Sequence, residues 1–239
     1  MKDIITLEKV EIQRLESGLL WPFCGNSKAL SASKLTNFIK TIEYQDIPEF
    51  ILKLAATRGK IFHKTIQTYF QKGIYPSFVD EEGNNLNKTQ KRIHETINFL
   101  RKKKLLKPST FLGAEELHYT LHKKELIAAY SDVSFADYII ELKTSNIKTK
   151  NNPLLLLVFD IQLLIQHLCT KKDIYLIWST GEGMIFSKFE KKLNLLHILD
   201  ILITVAREEE KELYSEERKK EIIKKILEMY QPNDFNIFF

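Results

Sequence analysis

Between residues 111 and 143 strand-length runs rich in aromatic and β-branched residues are separated by short turns. Those runs predict three successive strands, Phe111 to Leu121, Glu125 to Val133 and Tyr138 to Lys143. Elsewhere the apolar positions recur at helical spacing. One helix opens at Leu30-Ser31-Ala32-Ser33, where Ser31 or Ser33 can cap it, with Leu35, Phe38 and Ile39 on its inner face. A second runs from Pro48 to about Gln71 with Phe50, Ile51, Leu54, Ile61, Phe62, Ile66 and Phe70 as its buried stripe. A third, strongly basic, covers Lys88 to Lys104 with Ile93, Ile97 and Leu100 inside.

Pro153 opens a long apolar helix ending near Thr170, followed by a buried strand from Asp173 to Ser179. A hairpin turn at Gly181-Glu182-Gly183 leads into a strand from Met184 to Phe189. Lys191 to Tyr230 reads as helix, broken near Tyr214-Ser215 with Ser215 capping the second segment. Near the start, residues 4–20 suggest a strand or two, Trp21 to Asn26 a loop, and residues 73–88 a loop rich in Gly, Pro and Asn. Helices, three strands, a helix, two strands and helices predict an α/β core with a central mixed sheet.

Composition changes this picture little. The 239 residues, 44% of them hydrophobic, suit a single domain spanning 1–239, with a core over about 30–190 and a helical extension over about 191–239. The 36 Lys and Arg exceed the 31 Asp and Glu by a modest margin that permits nucleic-acid binding. Cys24 and Cys169 form no CxxC pair, which excludes a zinc or iron–sulfur site built on cysteines alone. The expected setting is reducing, soluble and intracellular, in cytoplasm or nucleoid, with a viral or organellar source also open. No signal peptide is expected, and the apolar run Leu154 to Ile165, interrupted by Asp160 and Gln162, reads as a buried helix and not a membrane span.

The candidate chemistry lies in Ala129 to Ser145, read as two short strands joined at Phe135-Ala136-Asp137. If they pair in register, Asp132 lies near Glu141, and Lys143 shares a face with Glu141 while Leu142 points into the core. Two adjacent carboxylates repel each other, and a hard divalent cation relieves the repulsion. A neighbouring lysine can orient water or stabilise charge on a phosphorane. The plainer reading is an amphipathic hairpin with charges on its wet face. Upstream, Gly59 stands four positions before His63 and would let something approach the helix backbone there. Downstream, Gln162 and Gln166 occupy i and i+4 of the apolar helix. They need partners: a nucleic-acid backbone, the lysine, or an internal network.

In order, Ser31-Ala32-Ser33-Lys34-Leu35, Gly59 to His63, Asp132, Glu141-Leu142-Lys143 and Gln162 to Gln166 resemble the PD-(D/E)XK nuclease superfamily in its RecB-like branch. The resemblance covers about residues 30–190 and implies a restriction-endonuclease-like core. It further implies that Asp132, Glu141, the carbonyl of Leu142 and His63 hold Mg2+ or Mn2+, and that Lys143 positions and activates the attacking water. Gln162, Gln166, Ser33 and Arg58 would contact substrate. Glu116 is a further strand carboxylate, read as a surface residue. The chain departs from the family pattern at Gln67, where a glutamate is usual, at Tyr130-Ser131, where a glycine is usual, and at Gln166, where an aromatic is usual. With two cysteines it resembles the cluster-free exonucleases of the mitochondrial-genome-maintenance or viral type.

The expected activity is metal-dependent hydrolysis of DNA phosphodiesters by an exonuclease in replication, recombination or repair. The basic helix with Lys148 and Lys150 would track phosphates. The alternatives are a structure-specific endonuclease, a nuclease fold that grips nucleic acid without cutting, and a purely structural α/β protein in which Asp132, Glu141 and His63 lie far apart. At the end of the chain, Phe235, Phe238 and Phe239 match the spacing of sliding-clamp-binding peptides, with Gln231 one place early. The alternative is that they fold back onto the core.

Overall fold

Residues 6–43, 47–74, 88–105, 108–145, 152–180, 183–209, 215–232 and 236–238 are described by the structure, a computed structural model. In chain order they form β1 (Val10–Arg14), β2 (Leu20–Cys24), β3 (Ser27–Lys28), β4 (Leu30–Ser31), α1 (Ala32–Glu43), α2 (Glu49–Lys72) and α3 (Lys88–Lys102). Then come β5 (Phe111–His122), β6 (Glu125–Phe135), β7 (Tyr138–Thr144), α4 (Pro153–Thr170), β8 (Asp173–Ser179) and β9 (Met184–Lys188), followed by α5 (Leu193–Glu209), α6 (Glu216–Met229) and β10 (Asn236–Phe238).

The central sheet is mixed and runs β10-β9-β8-β7-β6-β4, with β5 also paired to β6. β7 and β8 are parallel, as are β4 and β6, and the other neighbours are antiparallel. Helices cover both faces because β7 is apolar on both sides. On one side Ile139 belongs to a core that also holds Leu35 of α1, Leu157 and Ile161 of α4, Leu199 of α5 and Ile226 of α6. Ile140 and Leu142 pack with α2 and α3 through Phe62, Ile66, Ile93 and Ile97. The architecture is thus a mixed α/β fold with a central mixed sheet flanked by helices.

Local chemistry fixes several boundaries. Ser31 Oγ accepts the Lys34 N–H at 2.9 Å and opens α1. Asn152 caps α4 ahead of Pro153, and Ser215 caps α6. α4 is long and apolar enough to cross a membrane, yet it lies in the core, with Leu157, Asp160, Ile161, Leu164 and Gln166 all shut off from solvent.

Three sequence expectations change. The stretch read as a loop from Trp21 includes strand β2, which forms a small antiparallel sheet with β1 and β3 over a core of Trp21, Ala29, Leu126 and Ala128. Of the stripe expected to be buried on α2, Phe50, Ile51, Leu54 and Ile61 are exposed, because the helix meets the sheet and α3 only from Phe62 onward. A Cβ at Gly59 would meet nothing within 4 Å, so no packed neighbour requires glycine there. The segment carrying Phe238 is β10, the sheet's edge beside β9. Lys148, Lys150, Gly181, Glu182, Phe235, Phe239 and most of the 73–88 loop lie outside the described residues.

Candidate active site

A strand has two edges, and β6 shares one of them between two partners. β5 runs along one edge. On the other, β4 pairs at Ile127 and Ala128, and β7 pairs at Val133 and Ser134. Residues 129–132 are left between them without a partner strand on that edge. Their backbone groups still need hydrogen bonds. Gln166 Nε2 donates to the Tyr130 carbonyl at 3.0 Å, and Gln67 Nε2 to the Asp132 carbonyl at 3.3 Å. Opposite Asp132 on β5, Glu115 adopts a left-handed backbone at φ 57 and interrupts the pairing there.

Asp132 sits where β6 and β7 part. Its Oδ2 accepts the Leu142 N–H at 2.8 Å, and its Oδ1 lies 3.0 Å from His63 Nδ1 on α2. On β7, Glu141 is only 1% exposed. Its Oε1 takes the Lys143 ammonium and the Gln162 amide, and its Oε2 takes Gln166 Nε2 at 2.6 Å. Lys143 in turn stands over the Phe159 ring at 5.7 Å from its centroid. Asp132, Glu141, Lys143 and His63 are therefore brought together, which a purely structural protein would not require. An amphipathic hairpin with charges on its wet face is also ruled out, since Glu141 is buried.

Burial sets the electrostatics. It would raise Asp132's pKa, but the His63 ring, the Lys143 charge and the Leu142 N–H outweigh it and hold the carboxyl below its ordinary value. Glu141 goes the other way, raised by burial and by the charge of Asp132 against the pull of Lys143 and Gln166. Lys143 is raised, because Glu141 and Asp132 overcome the opposing effect of burial. The protein thus keeps one carboxylate firmly ionised beside another that resists ionisation.

The other expected site residues divide. Gln162 and Gln166 hold Glu141 in place. Gln166 is fully buried and so does not face substrate, which corrects that expectation. Leu142 buries its side chain, and its N–H is the group that meets Asp132. Ser33 and Arg58 are exposed on α1 and α2. Glu116 sits 4.0 Å from His118 and against Gly113, opposite Ser131 on β6. Two residues escaped the sequence reading. Lys40 of α1 lies near enough to Lys143 that burial, and then that charge, lowers its pKa. Its signal was its place seven residues after Ser33, on the same helical face. Arg92 of α3 donates to Thr144 Oγ1 at 3.2 Å, beside Lys143; nothing local to the basic helix singled it out.

Among the described residues no three His, Cys, Asp or Glu side chains converge as a ready cation cage. Mg2+ requires less, taking one or two carboxylates and completing its shell with water and phosphate oxygens. Asp132 and Glu141 offer hard oxygen donors of that kind, and a cation would relieve the repulsion that, after burial, raises Glu141.

No model of a protein family matches the chain, and no curated protein matches it. Two solved structures resemble its backbone. SSO0001 does so at 15% identity and a TM-score of 0.38, over 74% of this chain and 76% of its own. A "Putative exonuclease" from Eubacterium rectale does so at 14% identity and a TM-score of 0.46, over 78% of this chain and 83% of its own. Neither reaches a TM-score of 0.5, and neither likeness bears on function.

Proposed function

We infer that the chain is a divalent-metal-dependent deoxyribonuclease with a RecB-like PD-(D/E)XK core, acting as an exonuclease in replication, recombination or repair. One observation carries the reading. A buried glutamate with its own lysine stands beside a half-buried aspartate at a gap in the central sheet, and such a cluster is costly without chemistry to perform. Asp132 and Glu141 would hold Mg2+ or Mn2+, with His63 and the Leu142 carbonyl as further ligands. A cation there supplies a more acidic bound water and neutralises charge on the phosphate.

The side chains do the rest. Gln162 and Gln166 fix Glu141 in one orientation, and His63 and the Leu142 N–H fix Asp132. Lys143 remains protonated between the carboxylates, so it acts as a cation that orients water and stabilises negative charge developing on phosphorus. Arg92 and the exposed lysines of α3 would meet the backbone phosphates.

The test is cleavage of end-labelled single- and double-stranded DNA in Mg2+, Mn2+ or EDTA, by wild type and Lys143→Ala. Metal-dependent shortening from one end, absent in the variant, supports the proposal; cutting of closed circles would make the enzyme an endonuclease. A nuclease fold that grips without cutting is favoured by one observation, that both oxygens of Glu141 already have donors. It requires DNA binding indifferent to metal and to Lys143, with no cleavage.

A further inference from the structure

The first thirteen residues of α2, 49–61, precede its first buried residue, Phe62. They make about 20 Å of helix. Their apolar side chains face solvent: Phe50 is 70% exposed, Ile61 50%, Leu54 47% and Ile51 44%. At 100° per residue, Phe50, Leu54 and Ile61 fall within roughly 40° of arc and form a ridge pointing away from the sheet. Lys60 and Lys64 flank it on one side and Arg58 on the other, all exposed. An exposed apolar ridge of this size marks a binding surface.

The cations identify the partner's charge and its path. Arg92's pKa is lowered by burial first, and the charge of Arg58 adds to that against the opposing pull of Glu95, so Arg58 and Arg92 act on the same space. Arg92 reaches Thr144, and Thr144 adjoins Lys143. A line of positive charge therefore runs from the ridge to the carboxylate cluster. A polyanion with flat apolar faces fits both features, and bases are available to such a ridge only when they are unpaired.

We propose that the exposed ridge of α2 is a platform for nucleobases, on which the single strand leading to the Asp132–Glu141 cluster lays its bases against Phe50, Leu54 and Ile61 while Arg58 and Arg92 meet its phosphates. The proposal rests on the nuclease reading and deepens it, since it makes an unpaired strand the substrate. From Phe50 to Ile61 the ridge spans about five nucleotides at the ~3.4 Å rise of a stacked strand.

The experiment measures equilibrium binding in EDTA by fluorescence anisotropy, using the full chain. The probes are a labelled oligothymidylate of twelve or so nucleotides, an abasic strand of the same length and a blunt hairpin duplex. The variants are Phe50→Ala with Leu54→Ala, and Phe50→Trp; these side chains are exposed, and circular dichroism checks that each variant folds. The double variant is expected to bind oligothymidylate about tenfold or more weakly. Its affinity for the abasic strand and the duplex stays at the wild-type level, and Phe50→Trp retains tight binding. Unchanged oligothymidylate binding, or an equal loss with all three probes, overturns the platform. So does sedimentation showing a wild-type dimer that the double variant breaks, because a second copy then covers the ridge. Cleavage by wild type in Mn2+ is scored separately. Cleavage with no ridge effect removes only this inference, whereas ridge-dependent binding without cleavage removes only the nuclease reading.

Discussion

Gln166 of α4 and Glu141 of β7 meet at 2.6 Å, both closed to solvent, and the same amide nitrogen also reaches the Tyr130 carbonyl in the β6 gap. One side chain thereby orients a carboxylate and closes a break in the sheet. Its Oε1 is left without a hydrogen-bond partner among the described residues, so the arrangement is not optimised for stability alone.

Gln166→Leu is therefore expected to remove the donor from both acceptors and to lower stability by about 1–3 kcal/mol in urea unfolding. Cleavage should fall further than stability explains, because Glu141 loses its fixed orientation. Wild-type activity in a stable Gln166→Leu protein would show that the amide is structural only.

Lys143→Ala should make the protein depend on a cation for stability. Removing the ammonium leaves Glu141 buried beside Asp132 without its charge partner, a change worth about 3–5 kcal/mol when a buried pair is broken. Thermal melts should show a lower Tm in EDTA and a larger rise with Mn2+ than in wild type. Equal rises in the two proteins would mean that the cation does not bind at these carboxylates.

Cation binding should weaken in acid. Glu141's pKa lies above the ordinary 4.5, so as pH falls toward it a proton occupies the carboxylate that the cation needs. Below that pKa the apparent affinity should fall by about tenfold per pH unit, and calorimetry in buffers of different ionisation heat should show proton release on binding. Folding stability carries the matching sign. A raised carboxyl favours the fold at low pH and loses that contribution as pH rises through its folded value, so Glu141→Gln should flatten this part of the profile. A pH-independent cation affinity between about 4 and 7 would contradict the assignment.

Gly59→Ala should stabilise the protein by about 0.5–1 kcal/mol, because alanine is the better helix former and its Cβ would meet nothing within 4 Å. Gly59 lies about 160° round the helix from the Phe50–Leu54–Ile61 ridge, so KM for DNA and kcat should stay at the wild-type level. A raised KM would place the strand on the His63 side of the helix and not on the ridge.

Much of this site was legible because hairpin arithmetic is local. Aromatic and β-branched runs over residues 111–143 gave β5, β6 and β7 to within a residue or two, and pairing across the Phe135–Asp137 turn put Asp132 near Glu141, just beyond the last registered pair, Val133 with Ile140. The spacing of Gln162 and Gln166 showed that two amides shared a face and needed partners, but not that both partners were Glu141, since α4 finds β7 only through the packing of the sheet. Nothing near Asp132 in sequence reveals the gap in β6, because the strand that ends it, β4, is nearly a hundred residues away. Periodicity on α2 joined as one stripe two sets of residues on different sides of the helix: Phe50, Leu54 and Ile61 face solvent, and Phe62, Ile66 and Phe70, some 140° round from them, meet the core. It could not tell which half the sheet would cover, because that depends on where the helix crosses the sheet edge.

The gap itself sets a limit on how stable this protein can become. β4 has two residues and β7 touches β6 through two registered pairs, so both stop short along the same edge. Extending either strand would add ladder hydrogen bonds and would be an easy route to a tougher sheet. It would also zip the edge shut over residues 129–132 and leave Asp132 nowhere to turn. Variants selected for heat resistance alone should drift toward that closed edge and arrive there inert, whereas selection for cutting should keep the strands short.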